Sequence, residues 1–187
     1  MIWVTADLHF NNEGILKTCR PFSSIEEHNE YIIQQYNSVV GKDDLVYILG
    51  DAVWEPIEKA ESLIKRMNGR KILIAGNHDR GNIGRYKKIG FIDAIFHPVY
   101  FSSNLVLSHE PLFDAYDNPY LYNVHGHLHQ SVLSLPNFIN VNLELHEYKP
   151  LSLREIQEKV DKETIGRRES FGQEWYYPFF CRINKEE

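Results

Sequence analysis

The chain is poor in cysteine, in methionine and in long apolar runs. Its two cysteines, Cys19 and Cys181, lie far apart and in no metal-spacing pair, which argues against a disulfide framework and a cysteine zinc site. They fit a reducing cytoplasm. No apolar stretch approaches the roughly 20 residues of a membrane-spanning helix. The opening MIWVTADLHF has neither the basic start nor the long apolar core of a secretory signal. Cytoplasmic location is therefore the expectation. Positive charge is short as well: the net charge of −6 gives no general draw toward nucleic acid or membranes. There is no GxSxG elbow for a serine hydrolase, and neither cysteine sits in a catalytic setting. Repeats, low-complexity segments and linkers are absent too.

What remains is an ordinary globular composition, 43% hydrophobic and 25% charged, over 187 residues, a length that suits one domain. Short β-prone runs at 2–5, 45–49, 72–75, 91–96, 99–101, 105–107, 121–124 and 138–145 read as strands. Ser24 with Glu27 forms a capping-box start for a helix that stops at Gly41. Pro56 opens a second helix that ends at Lys65 and Arg66. Residues 82–88 suit a short helix, and Ser152 with Glu155 caps a last one through about Val160. Early strands alternate with helices and later ones cluster, which predicts an α/β core with a more antiparallel second half.

Nine histidines stand against two methionines, and the histidines are bunched. Five motifs follow directly on predicted strands: Asp7-x-His9, Gly50-Asp51, Gly76-Asn77-His78-Asp79, His109 and Gly126-His127-x-His129. Loops at the carboxyl ends of strands can converge from distant parts of a chain. Asp7, His9, Asp51, Asn77, His109, His127 and His129 offer carboxylate, imidazole and amide donors without thiolate. That chemistry suits manganese, iron, zinc or nickel better than a soft-metal site. Seven donors are too many for one catalytic zinc and suit two ions about 3.5–4 Å apart that share a carboxylate. In extended backbone, residues i and i+2 point the same way, so Asp-x-His and His-x-His would each aim both side chains at the ions.

The set DLH, GD, GNHD, a lone histidine and GHLH resembles the calcineurin-like metallophosphoesterase family, above all its small single-domain bacterial and phage members. The likeness runs from Asp7 to His129 and continues through 141–144 and 148–156. It implies a β-sandwich of two mixed sheets flanked by helices, with a domain at 1–160. It also implies two divalent metal ions. Asp7, His9 and His129 would hold one, Asn77, His109 and His127 the other, and Asp51 would bridge them. A hydroxide between the ions would attack phosphorus, and His78 would be the catalytic residue that contacts the phosphate and protonates the leaving oxygen. A phosphodiester is slightly favoured over a monoester. The alternatives are a phosphomonoesterase and an inactive protein-binding scaffold of the same fold, which loss of a ligand or of the catalytic histidine would mark; neither is lost.

Two departures narrow the resemblance. Phosphoprotein phosphatases continue the second motif as GDxxDRG, whereas this chain has GDAVWEP, without the acid that would orient His78. Close small relatives often carry FxH after the first motif, where this chain has Phe10-Asn11-Asn12. Asn12 is then a substrate-contact candidate, as is Arg80. Arg80, Arg85, Lys87 and Lys88 read either as a solvated helix face or as a basic rim for phosphate esters, not as a nucleic-acid groove. The substrate expected is a small-molecule or nucleotide phosphoester. Asp79 reads as a loop-holding group with a catalytic role as the alternative, His125 as a support to the metal ligands, Asn142 and Glu144 as further candidates for support, and His28, His97 and His146 as surface residues, of which only His146, after the late strand, would approach the cleft. Residues 161–187, with Phe171, Trp175, Tyr176, Tyr177, Phe179 and Phe180, form an aromatic extension. It is expected to pack over the core, with a homodimer contact or a cleft wall as the other readings.

Overall fold

A computed structural model describes residues 1–54, 56–79 and 83–171. Its first sheet has the order β4-β3-β2-β1-β9. Strands β1 (Ile2–Thr5), β2 (Leu45–Leu49), β3 (Arg70–Ile74) and β4 (Asp93–Ile95) run parallel, and β9 (Leu151–Ser152) pairs antiparallel with β1. The second sheet has the order β5-β6-β7-β8, from β5 (Val99–Tyr100), β6 (Leu105–Leu107), β7 (Tyr122–His125) and β8 (Phe138–Asn140). The expected two mixed sheets flanked by helices are therefore present.

Two cores hold the layers together. Alternate residues of β2 and β3 turn to opposite faces, as the pleat requires. Val46, Ile48 and Leu73 pack against α2 (Ile25–Val39), α3 (Glu61–Arg66) and α4 (Ile83–Ile89) through Ile32, Tyr36, Ile64 and Tyr86. Leu49 and Ile74 turn the other way. With Val4 they meet Leu105, Leu107 and Val124 of the second sheet and Leu153 and Val160 of α6 (Leu153–Phe171). A strand buried on both faces needs the continuous apolar run seen at 45–49. The capping read at α2 is present: Ser24 Oγ accepts from the Glu27 N–H (3.1 Å), while Glu27 reaches the Ser23 N–H (2.8 Å).

Three expectations need correction. The second sheet is antiparallel only at β5–β6; β6–β7 and β7–β8 are parallel. The hairpin turn 101–104 is short, whereas the connections 108–121 and 126–137 are long enough for parallel crossovers. The run 138–145 is not one strand. It leaves the sheet at Asn140, and Asn142 accepts from the Glu144 N–H (3.2 Å) to start a short 3-10 turn, Leu143–Leu145. The last helix does not stop at Val160 but runs to Phe171, so position 160 falls inside it. Thr164 lies on the added length, buried and within hydrogen-bond reach of Asn104 (3.5 Å). Residues 172–187, which hold the rest of the aromatic extension, lie outside the described residues. No helix among the described residues is long and apolar enough to cross a membrane.

Leu8 lies fully buried in the helix-side core between the motif residues Asp7 and His9, and so anchors their loop. Leu8→Ala should cost about 2–5 kcal/mol. It should lower the urea midpoint at unchanged slope; an unshifted midpoint would refute the anchor.

Candidate metal centre

The five motifs emerge at the same end of the molecule because β1, β2, β3, β6 and β7 all deliver their carboxyl ends there. Pairing continues past the strands. The Asp7 N–H donates to the Gly50 carbonyl (3.1 Å), the His9 N–H to Asp51 (2.9 Å) and the Phe10 N–H to Ala52 (3.1 Å). On the second sheet, the Gly126 N–H donates to the His109 carbonyl (2.9 Å).

The backbone there is not extended. Asp7, His9, Asn11, Asp51, His127 and His129 have φ between 50° and 66°. The convergence expected from i and i+2 in a strand is therefore achieved by left-handed turns instead. Asp, Asn and His are the non-glycine residues that tolerate that region best. The motif glycines make room. A Cβ on Gly126 would collide with the Asp7 carboxylate, and one on Gly76 with that of Asp51. Gly50, at φ +76°, would strike the His109 ring.

Each carboxylate has one oxygen pinned and one turned into the cluster. Asp7 Oδ2 accepts from the His127 N–H (2.9 Å), and Asp51 Oδ1 from the His78 N–H (3.0 Å). Asp51 Oδ2 lies 3.7 Å from His9 Nε2, 3.6 Å from His109 Nε2 and 3.9 Å from His78 Nε2. Asp7 Oδ1 is 3.7 Å from His9 Nε2, and both atoms are buried without a hydrogen-bond partner. His109 donates Nδ1–H to the Leu49 carbonyl (3.0 Å), which aims Nε2 at Asn77 Oδ1 (2.9 Å) and His127 Nδ1 (3.1 Å). The His9 and His129 rings stack at 5.3 Å. All seven expected donors thus meet. Asp7, His9 and His129 form one group with metal-holding spacing, and Asp7, Asp51 and His109 form another. Burial pushes the Asp7 carboxyl up, but its contact with His9 and the nearby His109 outweigh that and bring it below its usual range. Burial holds His9 below its ordinary value despite Asp7.

A second set of contacts fixes these groups. Arg20, buried to 2% exposure, donates to the carbonyls of Asp7 and Leu8, contacts His28 Nε2 (2.7 Å) and donates Nε–H to Glu144 Oε1 (2.7 Å). Glu144 in turn accepts from His129 Nδ1 (3.1 Å), leaving Nε2 for the cluster. Burial pushes Glu144 up, but the hydrogen bonds to His129 and Arg20 and their charge bring it down to about 2. Asp79 accepts from the N–H groups of Asp51 (2.6 Å) and Gly76 (2.9 Å), which is the loop-holding role expected. Burial pushes its carboxyl up to about 6. His125 is buried, with Nδ1 on the Gly126 carbonyl (2.9 Å). His28 is not a surface residue: Arg20 and Asn29 enclose it at 0% exposure. His97 is exposed and His146 is half-buried. Asn12 is buried and bonded locally. It caps α1 (Glu13–Thr18) by accepting from the Gly14 N–H (3.0 Å), and its amide reaches His9 Nδ1 (3.3 Å).

His78 stands at the rim with 42% of its side chain exposed, and Trp54 lies against it with ring centroids 4.9 Å apart. Arg80 lies outside the described residues. Arg85 pairs with Glu58 (3.2 Å) and Lys87 with Asp93 (3.2 Å), as a solvated helix face would. Sequence reasoning missed Arg20 and Trp54. A lone arginine in a polar loop carries no signal, whereas Trp54 occupies the place of the second acid of GDxxD and could have been found there.

The family model of calcineurin-like phosphoesterases matches residues 1–176. The chain belongs to that family. An uncharacterized protein of Methanocaldococcus jannaschii is 34% identical over 181 residues, covering 89% of this chain and 94% of that one. The gene 66 protein of Mycobacterium phage D29 is 26% identical, covering 86% of this chain and 96% of its own. A crystal structure of an Aquifex aeolicus protein of unknown function superposes with a TM-score of 0.64 at 25% identity, over 85% of this chain and 98% of that one. As a calcineurin-like phosphoesterase the protein is a metal-dependent hydrolase of phosphoesters.

The Arg20–Glu144 contact has a pH signature. The folded pKa of Glu144 lies below its ordinary 4.5, so its stabilisation is complete above that value and is lost as pH falls toward about 2. In chelator-treated protein, Glu144→Gln should flatten that acid limb. It should also cost about 3–5 kcal/mol at neutral pH, because Arg20 keeps its buried charge without a partner. Denaturant unfolding from pH 2 to 7 measures both, and an unchanged limb would refute the assignment.

Proposed function

We propose that the protein is a binuclear metal-dependent phosphoesterase with a preference for phosphodiesters, a phosphomonoesterase being the alternative. The observation that carries the reading is the pair of buried carboxylates, Asp7 and Asp51, whose inward oxygens face imidazole nitrogens with no proton donor to satisfy Asp7 Oδ1. Orphaned buried groups of this kind cost about 1–3 kcal/mol each unless something binds them. Oxygen and nitrogen donors without thiolate suit manganese, with iron, zinc or nickel as alternatives. Asp7, His9 and His129 would hold one ion, and Asn77, His109 and His127 the other. Asp51 would bridge them, in keeping with its Oδ2 atom near both His9 and His109. Bound divalent ions supply a water made acidic near neutral pH and neutralise charge on phosphoryl oxygens.

The remaining chemistry falls to the chain. His78, exposed at the rim beside Asp51, contacts the phosphate and gives a proton to the leaving oxygen. Trp54 holds that ring in place of the missing acid. Arg20 and Glu144 keep His129 aimed, and Asp79 locks the loops of Asp51 and Asn77 together. A diester is favoured because a cleft of about 300 Å³ adjoins Asn77 and His109, with room for a second organic substituent.

Metal analysis should find two ions per chain; one ion would overturn the binuclear reading. With manganese added, bis-p-nitrophenyl phosphate should turn over faster than p-nitrophenyl phosphate, and monoester-only activity would reverse the substrate preference. His78→Ala should retain both ions and lose turnover by about 10²–10⁴-fold. Loss of metal in that variant would make His78 structural.

A further inference from the structure

The cleft beside the centre spans the gap between the two sheets. It is built from the ends of β3 and β6 and from the β4–β5 connection. Asn77 and His109 stand at one part of its wall. Ile74, Phe96, Pro98 and Leu112 make another part apolar, and Phe96 keeps 46% of its surface exposed. An exposed aromatic ring beside a proline and a leucine offers a flat, dry face. The polar groups are mostly engaged. Ser108 Oγ–H donates to the Glu110 carbonyl (2.6 Å), and His97 Nδ1 meets the Pro98 carbonyl (2.9 Å). The Glu110 carboxylate is exposed and has no ion pair among the described residues.

We propose that this cleft is a nucleoside subsite that receives the non-leaving ester group of the substrate, with the base on Phe96 and an exocyclic amine donating to Glu110. The proposal rests on the phosphoesterase reading of the adjoining centre. The size is at the low end of small-ligand sites, about 300–1,000 Å³, so one nucleoside fits and a folded polymer does not. The sign of charge points the same way. A free carboxylate in a chain of net charge −6 repels a run of phosphates but accepts hydrogen bonds from an uncharged base. A purely aliphatic alcohol would leave both the ring face and the carboxylate unused.

Two p-nitrophenyl esters with the same leaving group separate this site from the chemistry: adenosine 5′-(p-nitrophenyl) phosphate and methyl p-nitrophenyl phosphate. In the manganese-loaded protein, Phe96→Ala should raise KM for the adenosine ester about tenfold, as loss of a base-stacking contact does. It should leave kcat, and both constants for the methyl ester, within about twofold. Glu110→Gln should erase a preference for adenosine over inosine, which lacks the amine. Free adenosine binding, followed by ligand-observed NMR, provides a reading that needs no turnover, and thermal melting checks that both variants fold. Equal changes for the two esters, or adenosine binding that is absent or indifferent to Phe96→Ala, would overturn the subsite. If neither ester is hydrolysed, the phosphodiesterase preference fails, while the binding titration still decides this one.

Discussion

Asp7 and Asp51 are buried side by side at the ends of neighbouring parallel strands, and no lysine or arginine reaches either carboxylate among the described residues. Each receives a single backbone N–H from another motif. A buried carboxylate is otherwise costly unless it is paired or coordinates a metal. The one buried guanidinium nearby, Arg20, spends its donors on carbonyls and on Glu144 instead. The fold therefore gathers negative charge and withholds the counter-charge. Imidazoles that burial keeps neutral, such as His9, complete the arrangement, since a neutral ring nitrogen is a ligand and a protonated one is not.

Holding two carboxylates and several rings within a few ångströms requires turns that strands and helices do not supply. The left-handed residues at Asp7, His9, Asp51, His127 and His129 provide them, at roughly 1–3 kcal/mol apiece. The neighbouring cores offset that strain. Leu8, between two strained residues, is fully buried, as are Val4, Ile48 and Leu49 on the strands that feed the site. The motif glycines belong to the same account. They carry no chemistry, yet any side chain at Gly76 or Gly126 would occupy the space of a carboxylate.

The strands feeding the centre, the helix caps at Ser24 and Ser152 and the seven converging donors were legible because each rests on local pattern: an apolar run, a capping pair, a polar motif at a strand end. Strand direction in the second sheet was not, because it depends on how the long connections cross rather than on any residue. The backbone at Asp-x-His departs from a strand for a related reason: the same spacing serves a strand and a left-handed turn, and no local pattern separates the two. Asn12 stood out because it takes the place of the FxH histidine, a position that says nothing of its local bonds. Its oxygen and nitrogen are both committed locally, one to a helix start and one to His9. Arg20 was invisible, since its partners come from positions as distant as Glu144.

Trp54 shows how a departure from a motif becomes a structural statement. A carboxylate at that place would hydrogen-bond the His78 ring, select its tautomer and raise its basicity. An indole does none of these. Its contact at 4.9 Å restricts the ring by packing alone, while the His78 main chain is fixed by its N–H on Asp51 Oδ1 (3.0 Å). The exchange also removes a negative charge from the mouth of a centre that already carries two carboxylates. An anionic phosphoester approaching a protein of net charge −6 meets less repulsion at that rim than a carboxylate would impose. In the function proposed, His78 thus trades a fixed hydrogen bond for an apolar neighbour, and that neighbour leaves the approach to the phosphate less anionic.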